Sequence, residues 1–413
     1  MKQPQLDNRF PPVINGKISE IYPWSGFFGD HLTLFICYVK KFFKINSKEE
    51  PVDQTIKDFF NCQNIYLLDS GRSALVIALK ALGLNPGEEV LLSAFNCTAV
   101  AESIIQAGGI IKFVDINSKA GLDINSIKNT ISPKTKCIIV THIYGLVDDL
   151  EELSSLCKSR GIFLINDLAQ TLENPSSDKK LNTYGDVSIY SFGAEKHLFA
   201  LGGGAIVTHR NNLVDKIGKN LPQEIVSDRS LFILLLERWK YYFTFFSLKY
   251  LKVIILPLKQ AGLIFKFLPI KTIYLSDQLI KPKFMHPVQK SLLIKKLRLY
   301  KIYFDKTTDN FNYLKNELNV YLLHKDQQMP LYATICIDAE SRFNLAEYLS
   351  KHGVQTVWNY LPLYKNESLN KIELGETEKL WQGVLSIPFR YPMTNKRVKQ
   401  ICEIINIYKN NEN

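Results

Sequence analysis

Between about residues 60 and 210, runs of apolar residues alternate with segments whose apolar positions recur every three or four residues. The apolar runs predict strands and the periodic segments predict helices. Helices 72–83 and 148–161 are the clearest of these segments, and the first ends at Gly83. The predicted strands are, in chain order, 64–70, 88–94, 110–116, 136–145, 162–167 and 187–192. Strands this continuously apolar, connected through helices, predict an α/β fold with a mostly parallel sheet covered by helices on both faces.

The pattern after residue 285 predicts further helices and strands. Residues 285–318 predict one or two long helices, and the last hundred residues alternate strand-like and helical patterns: 331–337, 342–353 and 395–409. A chain of 413 residues is long enough for two or three domains. We therefore expect an N-terminal arm, a large domain, a basic aromatic insertion, and connecting helices with a small C-terminal α+β domain: 1–60, 61–230, 231–275 and 276–413.

The cysteines bear on the cellular compartment and on metal binding. There are seven, they are scattered, and they form no CxxC pair or Cys/His cluster. This pattern argues against a disulfide framework and a structural zinc site, so we expect no metal. The first residues, "MKQPQLDNRFPPVING", contain no basic region leading into an apolar run. We therefore expect a cytoplasmic protein.

Positive charge is concentrated in one region. Residues 231–300 hold thirteen Lys and Arg against two acids, Glu237 and Asp277, which accounts for the whole net charge of +11. The longest run without charge, 241–248, is too short to cross a bilayer. Two interpretations stand: a segment lying on an anionic membrane surface, or a buried insertion or subunit contact whose lysines reach water. No recognised nucleic-acid-binding motif accompanies the charge, so we expect no nucleic-acid partner.

Four stretches that contain polar residues fall where predicted strands end, the edge at which such sheets bind ligands: "DSGRS", "AFNC", "DLAQ" and "SFGAEK". In "DSGRS", Gly71, Arg72 and Ser73 open a helix, which suits a phosphate, although a serine-capped helix explains the same letters. Asp167 ends a strand, and alone it would be interpreted as a helix cap. Lys196 lies 29 residues later, before three glycines, and alone it would be interpreted as a solvated lysine.

Together these groups meet the needs of one cofactor, pyridoxal 5′-phosphate (PLP). Its aldehyde needs a lysine, its pyridinium nitrogen needs an acid, and its phosphate needs a helix N-terminus with hydroxyl groups. All three occur in order on one predicted sheet. The combination therefore predicts a PLP site.

The same segments resemble a known family, the DegT/StrS-type nucleotide-sugar aminotransferases, which are fold type I PLP enzymes. The resemblance is carried by "SGRSALVIAL", "GGIIKFVDI", "NDLAQ" and "SIYSFGAEKHLFALGGGAIVT", and more loosely by "GVQTVWNYLPLY" and "LSIPFRYPMT". It implies a fold type I PLP transferase that aminates a nucleotide-linked keto sugar with L-glutamate as donor. It also implies a homodimer with its site at the subunit interface, working in amino-sugar biosynthesis such as that of lipopolysaccharide.

The resemblance also implies roles for individual residues. Lys196 would be the Schiff-base lysine, Asp167 the partner of the pyridinium nitrogen, and Gln170 a neighbour of the cofactor's 3-oxygen. The phosphate would be held by Ser191, Gly71, Arg72 and Ser73. The ring-stacking aromatic of the family falls at Cys97, so Phe95, two residues earlier, is the candidate for that role.

A related branch of the family carries histidine in place of the lysine and dehydrates sugars. Here the lysine favours transamination. Two departures from the family pattern keep other functions open. The sequence "ALGGG" after the lysine lacks the acidic residue that relatives commonly carry, and 231–275 departs from their pattern. The alternatives are another PLP enzyme on this fold (a lyase, sugar dehydratase or synthase) and a non-catalytic regulatory protein at the membrane surface.

Overall fold

The computed structural model describes residues 52–412 except a few short stretches and one long one, which are 173, 176, 178, 179, 237–278, 324–328, 367, 368, 370, 371 and 373. The expected N-terminal arm, apart from residues 52–60, lies outside the described residues. So does most of the basic insertion, whose described part is 231–236. The division into domains therefore stays a prediction.

A seven-stranded sheet forms the centre of the large unit. Its strands are β1 Asn64–Leu68, β2 Glu89–Ser93, β3 Ile110–Val114, β4 Thr135–Thr141, β5 Phe163–Asp167, β6 Val187–Ser191 and β7 Gly204–Thr208. Their order across the sheet is β1-β7-β6-β5-β4-β2-β3. The five strands from β6 to β3 are parallel, and β7 pairs antiparallel with both β6 and β1. The prediction of a mostly parallel sheet is confirmed.

Helices cover the sheet and connect its strands. In chain order they are α1 Val52–Phe60, α2 Gly71–Ala81, α3 Thr98–Gln106, α4 Ile124–Thr130, α5 Leu150–Arg160, α6 Asn211–Asn220, α7 Pro287–Glu317, α8 Ala339–Lys351, α9 Gly375–Gly383 and α10 Asn395–Glu412. The predicted segment 285–318 is one helix, α7. It starts with a capping box, because His286 accepts from the Val288 N–H at 3.1 Å and Gln289 accepts from the His286 N–H at 3.1 Å.

The alternation of side chains along the strands buries both faces of the sheet. On one face, Leu92 and Ile139 pack with residues of α2, α3 and α6. On the other, Leu91 and Ile138 pack with α5, and Tyr190 packs with α1 and α7. Apolar surface is thus removed from water on both sides, which explains why the strands read as continuous apolar runs.

A smaller unit follows α7. Its antiparallel sheet has the order β10-β9-β8, from Val384–Ile387, Ala333–Cys336 and Tyr321–Leu322. Its core also takes in Phe95, Ile143 and Tyr144 from the large unit. The two units therefore share one continuous hydrophobic core, and that core lies next to the ends of β2 and β4. No helix in the described part of the chain is long and apolar enough to cross a membrane.

Candidate active site

The carboxyl ends of neighbouring parallel strands bring several polar side chains to one edge of the sheet. Asp167 is the last residue of β5 and Ser191 the last of β6, and Thr141 ends β4 in register with Asp167. Lys196 lies in the loop after β6, where its N–H donates to the Gly193 carbonyl at 3.1 Å. The sequence prediction that Asp167 ends a strand is confirmed.

Asp167 is a buried acid, 2% exposed, with both oxygens occupied as acceptors. Its Oδ1 accepts from the Ala169 N–H and its Oδ2 from the Thr141 hydroxyl, both at 3.0 Å. Burial raises the pKa of Asp167, while the Ala169 N–H, the charge of Lys196 and the Thr141 hydroxyl oppose that rise. An acceptor-only carboxylate in this setting suits a cationic partner.

Lys196 is half-buried and lies close enough to act electrostatically on its neighbours. Burial raises the pKa of the Cys97 thiol, and the positive charge of Lys196 counteracts it. His197, the next residue, is buried, and its Nδ1 lies 3.3 Å from the Tyr303 hydroxyl. Burial, with the charges of Arg390 and Lys196, lowers the pKa of His197 well below its usual range. The imidazole is therefore neutral and is directed at Tyr303.

The four residues predicted to hold a phosphate separate into two pairs. A Cβ built on Gly71 would lie 3.3 Å from the Ser191 Cβ, so the start of α2 and the end of β6 are in contact. Ser73 is fully buried and belongs to the helix cap, in which Ser70 Oγ accepts its N–H at 3.1 Å. The Arg72 side chain forms an ion pair with Glu102 at 3.3 Å. Gly71 and Ser191 are thus brought together, and the side chains of Arg72 and Ser73 are engaged elsewhere.

Gln170 and Phe95 occupy different surroundings. Gln170 is buried, and its Oε1 accepts from the Tyr144 N–H at 3.0 Å, which leaves its amide hydrogens directed away from that bond. Phe95 is fully buried in the core shared by the two units, with its ring 5.9 Å from that of Tyr144. The role of Phe95 as the ring-stacking aromatic stays a prediction. The positive charge of Lys196 acts on the thiol of the half-buried Cys97, which precedes α3.

Sequence reasoning missed three residues at this edge. Asn96 is buried and donates to Thr141 Oγ1 at 3.0 Å. Arg390 is 3% exposed, and its Nη2 donates to the carbonyl of Glu195, directly before Lys196, at 3.2 Å. The segment "LSIPFRYPMT" pointed to the region of Arg390 and the stretch "AFNC" to that of Asn96, but neither pointed to these contacts, and no local pattern pointed to Thr141.

His142 lies behind the site. It is fully buried, its Nδ1 accepts from the Asp148 N–H at 3.3 Å, and its Nε2 lies 2.6 Å from Asn166 Oδ1. Because Nδ1 accepts, Nε2 carries the proton and donates to Asn166. Burial lowers the pKa of His142 to about 4. It therefore stays neutral and fixes Asn166, the neighbour of Asp167.

Comparison with known proteins agrees with this geometry. The model of the DegT/DnrJ/EryC1/StrS aminotransferase family matches residues 40–223 and 285–406, which is more than half of the chain. The unmatched residues 224–284 contain the basic insertion, where the sequence departs from the expected pattern.

Two curated relatives match the first part of the chain. GDP-perosamine synthase of Vibrio cholerae is 31% identical over 189 residues, which are 45% of this chain and 52% of the relative. The UDP-N-acetyl-3-dehydro-alpha-D-glucosamine 3-aminotransferase of Acidithiobacillus ferrooxidans is 35% identical over 150 residues, 36% of this chain and 41% of the relative. The matches thus span about half or less of each relative.

A solved structure, that of Bacillus subtilis NtdA with bound cofactor PMP, superposes with a TM-score of 0.70 at 20% identity. It covers 96% of this chain and 87% of that one. This likeness shows the fold, which is the fold type I architecture that the resemblance implied. With the family model matched across both structural units, the chain belongs to the DegT/DnrJ/EryC1/StrS aminotransferase family.

Proposed function

We propose that this protein is a PLP-dependent aminotransferase that converts the keto group of a nucleotide-linked sugar to an amine, with L-glutamate as donor. The observation that carries the proposal is the pairing at one sheet edge of a buried acid, Asp167, with the nearby amine of Lys196. The family membership and the sugar aminotransferases among the relatives support it.

The residues present fit PLP. The missing Cβ of Gly71 leaves room beside Ser191, so the α2 N-terminus and a hydroxyl group can hold a phosphate together. Asp167 would face the pyridinium nitrogen, and the amide of Gln170 would face the ring oxygen. Bound PLP supplies an aldehyde for amino groups and a ring that withdraws electrons from the carbon attached to them.

The chain's own groups then have distinct tasks. Lys196 Nζ would hold bound PLP between turnovers and, when free, would be placed to take the proton from the donor's α-carbon. Asp167, as a carboxylate beside the ring nitrogen, would keep that nitrogen protonated. Glutamate leaves as 2-oxoglutarate, and the nitrogen passes to the sugar carbon with no external oxidant or reductant.

The partners follow from the same proposal. We propose a homodimer, because the family resemblance implies a site at a subunit interface, and we propose that it works in the cytoplasm. The substrate class rests on the relatives, whose names include GDP-linked and UDP-linked sugars. We propose that the amino sugar serves surface-glycan or related biosynthesis.

A half-reaction tests this function. Purified protein loaded with PLP and given L-glutamate without sugar should lose its visible absorbance and release one equivalent of 2-oxoglutarate per site; D-glutamate is the matched control. A protein that binds PLP but is converted by no amino acid would point to a lyase, dehydratase or synthase. A protein that binds no PLP would point to the non-catalytic alternative.

We also propose that the basic insertion contacts an anionic membrane. Exposed apolar side chains lie on both sides of residues 237–278 in the sequence. Phe232 and Ile233, in the helix formed by 228–236, are 55% and 47% exposed, and Leu279 is 71% exposed. The segment between them is rich in lysine and aromatic residues. Exposed apolar groups beside positive charge complement an acidic lipid surface.

Co-sedimentation checks this contact. We expect binding to vesicles of phosphatidylcholine with phosphatidylserine, none to phosphatidylcholine alone, and release at about 0.5 M NaCl, where charges are screened over a few ångströms. The double variant Phe232→Glu, Ile233→Glu should bind more weakly without loss of stability, because both side chains are exposed. Equal recovery in the supernatant with and without acidic vesicles would rule the contact out.

A further inference from the structure

A chain of hydrogen bonds crosses the ends of three neighbouring strands. Asn96 follows β2, Thr141 ends β4 and Asp167 ends β5, and these strands are adjacent in the sheet. Asn96 Nδ2 donates to Thr141 Oγ1 at 3.0 Å, and Thr141 Oγ1 donates to Asp167 Oδ2 at 3.0 Å. The three side chains are 1%, 6% and 2% exposed, so water does not compete for these bonds.

The direction of every bond in this chain is determined. The backbone N–H of Cys97 lies 2.7 Å from Asn96 Oδ1, and a backbone N–H can only donate. The atom facing Cys97 is therefore the amide oxygen, and the atom facing Thr141 is the amide nitrogen, which also only donates. Thr141 must accept from Asn96, so its single hydroxyl proton is left for Asp167.

We infer that Asn96 is a positioning residue for Asp167: by occupying the acceptor side of the Thr141 hydroxyl, it directs that hydroxyl proton onto Asp167 and keeps the acid a correctly oriented carboxylate. Asn96 acts through Thr141 and touches no reacting atom. The inference rests on the proposed function, in which Asp167 faces the pyridinium nitrogen of PLP.

The electrostatic balance at Asp167 shows why one hydroxyl matters. Burial disfavours the charged carboxylate, and three groups oppose it: the Ala169 N–H, the positive charge of Lys196 and the Thr141 hydroxyl. The Cys97 thiol nearby is kept neutral, because burial raises its pKa. The Thr141 hydroxyl could turn its proton away from Asp167, and the hydrogen bond from Asn96 prevents it from doing so.

Two substitutions interrupt this series of hydrogen bonds, each at a different bond. Asn96→Asp keeps the shape and the acceptor for Cys97, but the new carboxylate oxygen accepts from Thr141 and draws its proton away from Asp167. Thr141→Val removes the donor itself, whereas Thr141→Ser keeps the hydroxyl and should restore wild-type behaviour. Asn182→Ala is the control, since Asn182 is equally buried but donates to the Phe60 carbonyl, at 2.7 Å, and lies 3.2 Å from His209.

The measurements are the dissociation constant of the apoprotein for PLP and the pH midpoint of the visible absorbance of the loaded protein. In Asn96→Asp and Thr141→Val, we expect PLP to bind about tenfold more weakly, the effect of one hydrogen bond to a charged group. The pH midpoint of the absorbance should rise by about one unit. Without the hydrogen bond from Thr141, Asp167 is less stable as a carboxylate and keeps the ring nitrogen protonated less well.

The outcomes are distinct. Both readouts shifted in these two variants, and unshifted in Thr141→Ser and Asn182→Ala, would support the inference. Wild-type affinity and midpoint in Asn96→Asp would overturn it, even if that variant were less stable. Wild-type protein that binds no PLP would instead overturn the proposed function, so the two failures are distinguishable.

Discussion

Lys196→Ala is expected to lower the rate of transamination by about a thousandfold or more, because this one amine both holds the cofactor and moves the α-proton. The cofactor should still bind without a covalent bond, since Gly71, Ser191 and Asp167 are untouched. The absorbance of the loaded variant should therefore be that of free PLP, not that of an imine. Steady-state rates and spectra on the same sample check both statements.

Lys219→Ala is the matched control, since Lys219 is an exposed lysine on α6, and it should leave rate and spectrum unchanged. The adjacent His197 should not rescue Lys196→Ala, because burial lowers its pKa and makes its imidazole a poor base, and its Nδ1 faces the Tyr303 hydroxyl. A variant at position 196 that retained more than a tenth of the wild-type rate would show that another group moves the proton. The lysine would then have only a structural role.

The site residues that could be predicted from sequence are those at the carboxyl end of a strand that the local apolar pattern predicts. "IFLIND" is apolar up to its last two residues, so a strand ending at Asp167 followed from the pattern. Ser191 lay within the predicted strand 187–192, and its role at the phosphate came from the family resemblance. Predicted strand 136–145 was too long: β4 stops at Thr141, and Tyr144 adopts a left-handed φ of 59° in a short turn.

The missed parts depend on contacts between segments that are distant in sequence. Asn96 and Thr141 are 45 residues apart and meet only because β2 lies beside β4, a neighbour relation that no local pattern contains. Arg72, expected at a phosphate from its place in "DSGRS", pairs with Glu102 on α3, a partner that the local pattern does not contain; its role at a phosphate stays a prediction. Strand β7 was missed because it begins inside a run of glycines, which are poor strand formers.

That glycine run leads to the largest expected effect on stability. Gly204 begins β7 and pairs with Ser191 of β6 on one side and Leu68 of β1 on the other. A Cβ added there would lie 2.5 Å from the Gly71 nitrogen and from the carbonyl carbon of Ser70. These are backbone atoms at the start of α2, so they cannot move aside as a flexible side chain would.

Gly204→Ala should therefore lower the free energy of unfolding by about 3 kcal/mol, the upper range for overpacking a close contact. It should also weaken PLP binding, because the displaced backbone is the one that brings Gly71 against Ser191. Gly218→Ala is the matched control: Gly218 lies in α6 with no atom within 4 Å of the added Cβ, so alanine should stabilise the helix by about 0.5–1 kcal/mol. Denaturant unfolding measures the change in the free energy of unfolding, which should be a loss in Gly204→Ala and a gain in Gly218→Ala. If Gly204→Ala were as stable as the wild type, the turn at Ser70 and Gly71 would adapt freely to the added Cβ. The close contact could not then be what shapes the phosphate end of the site.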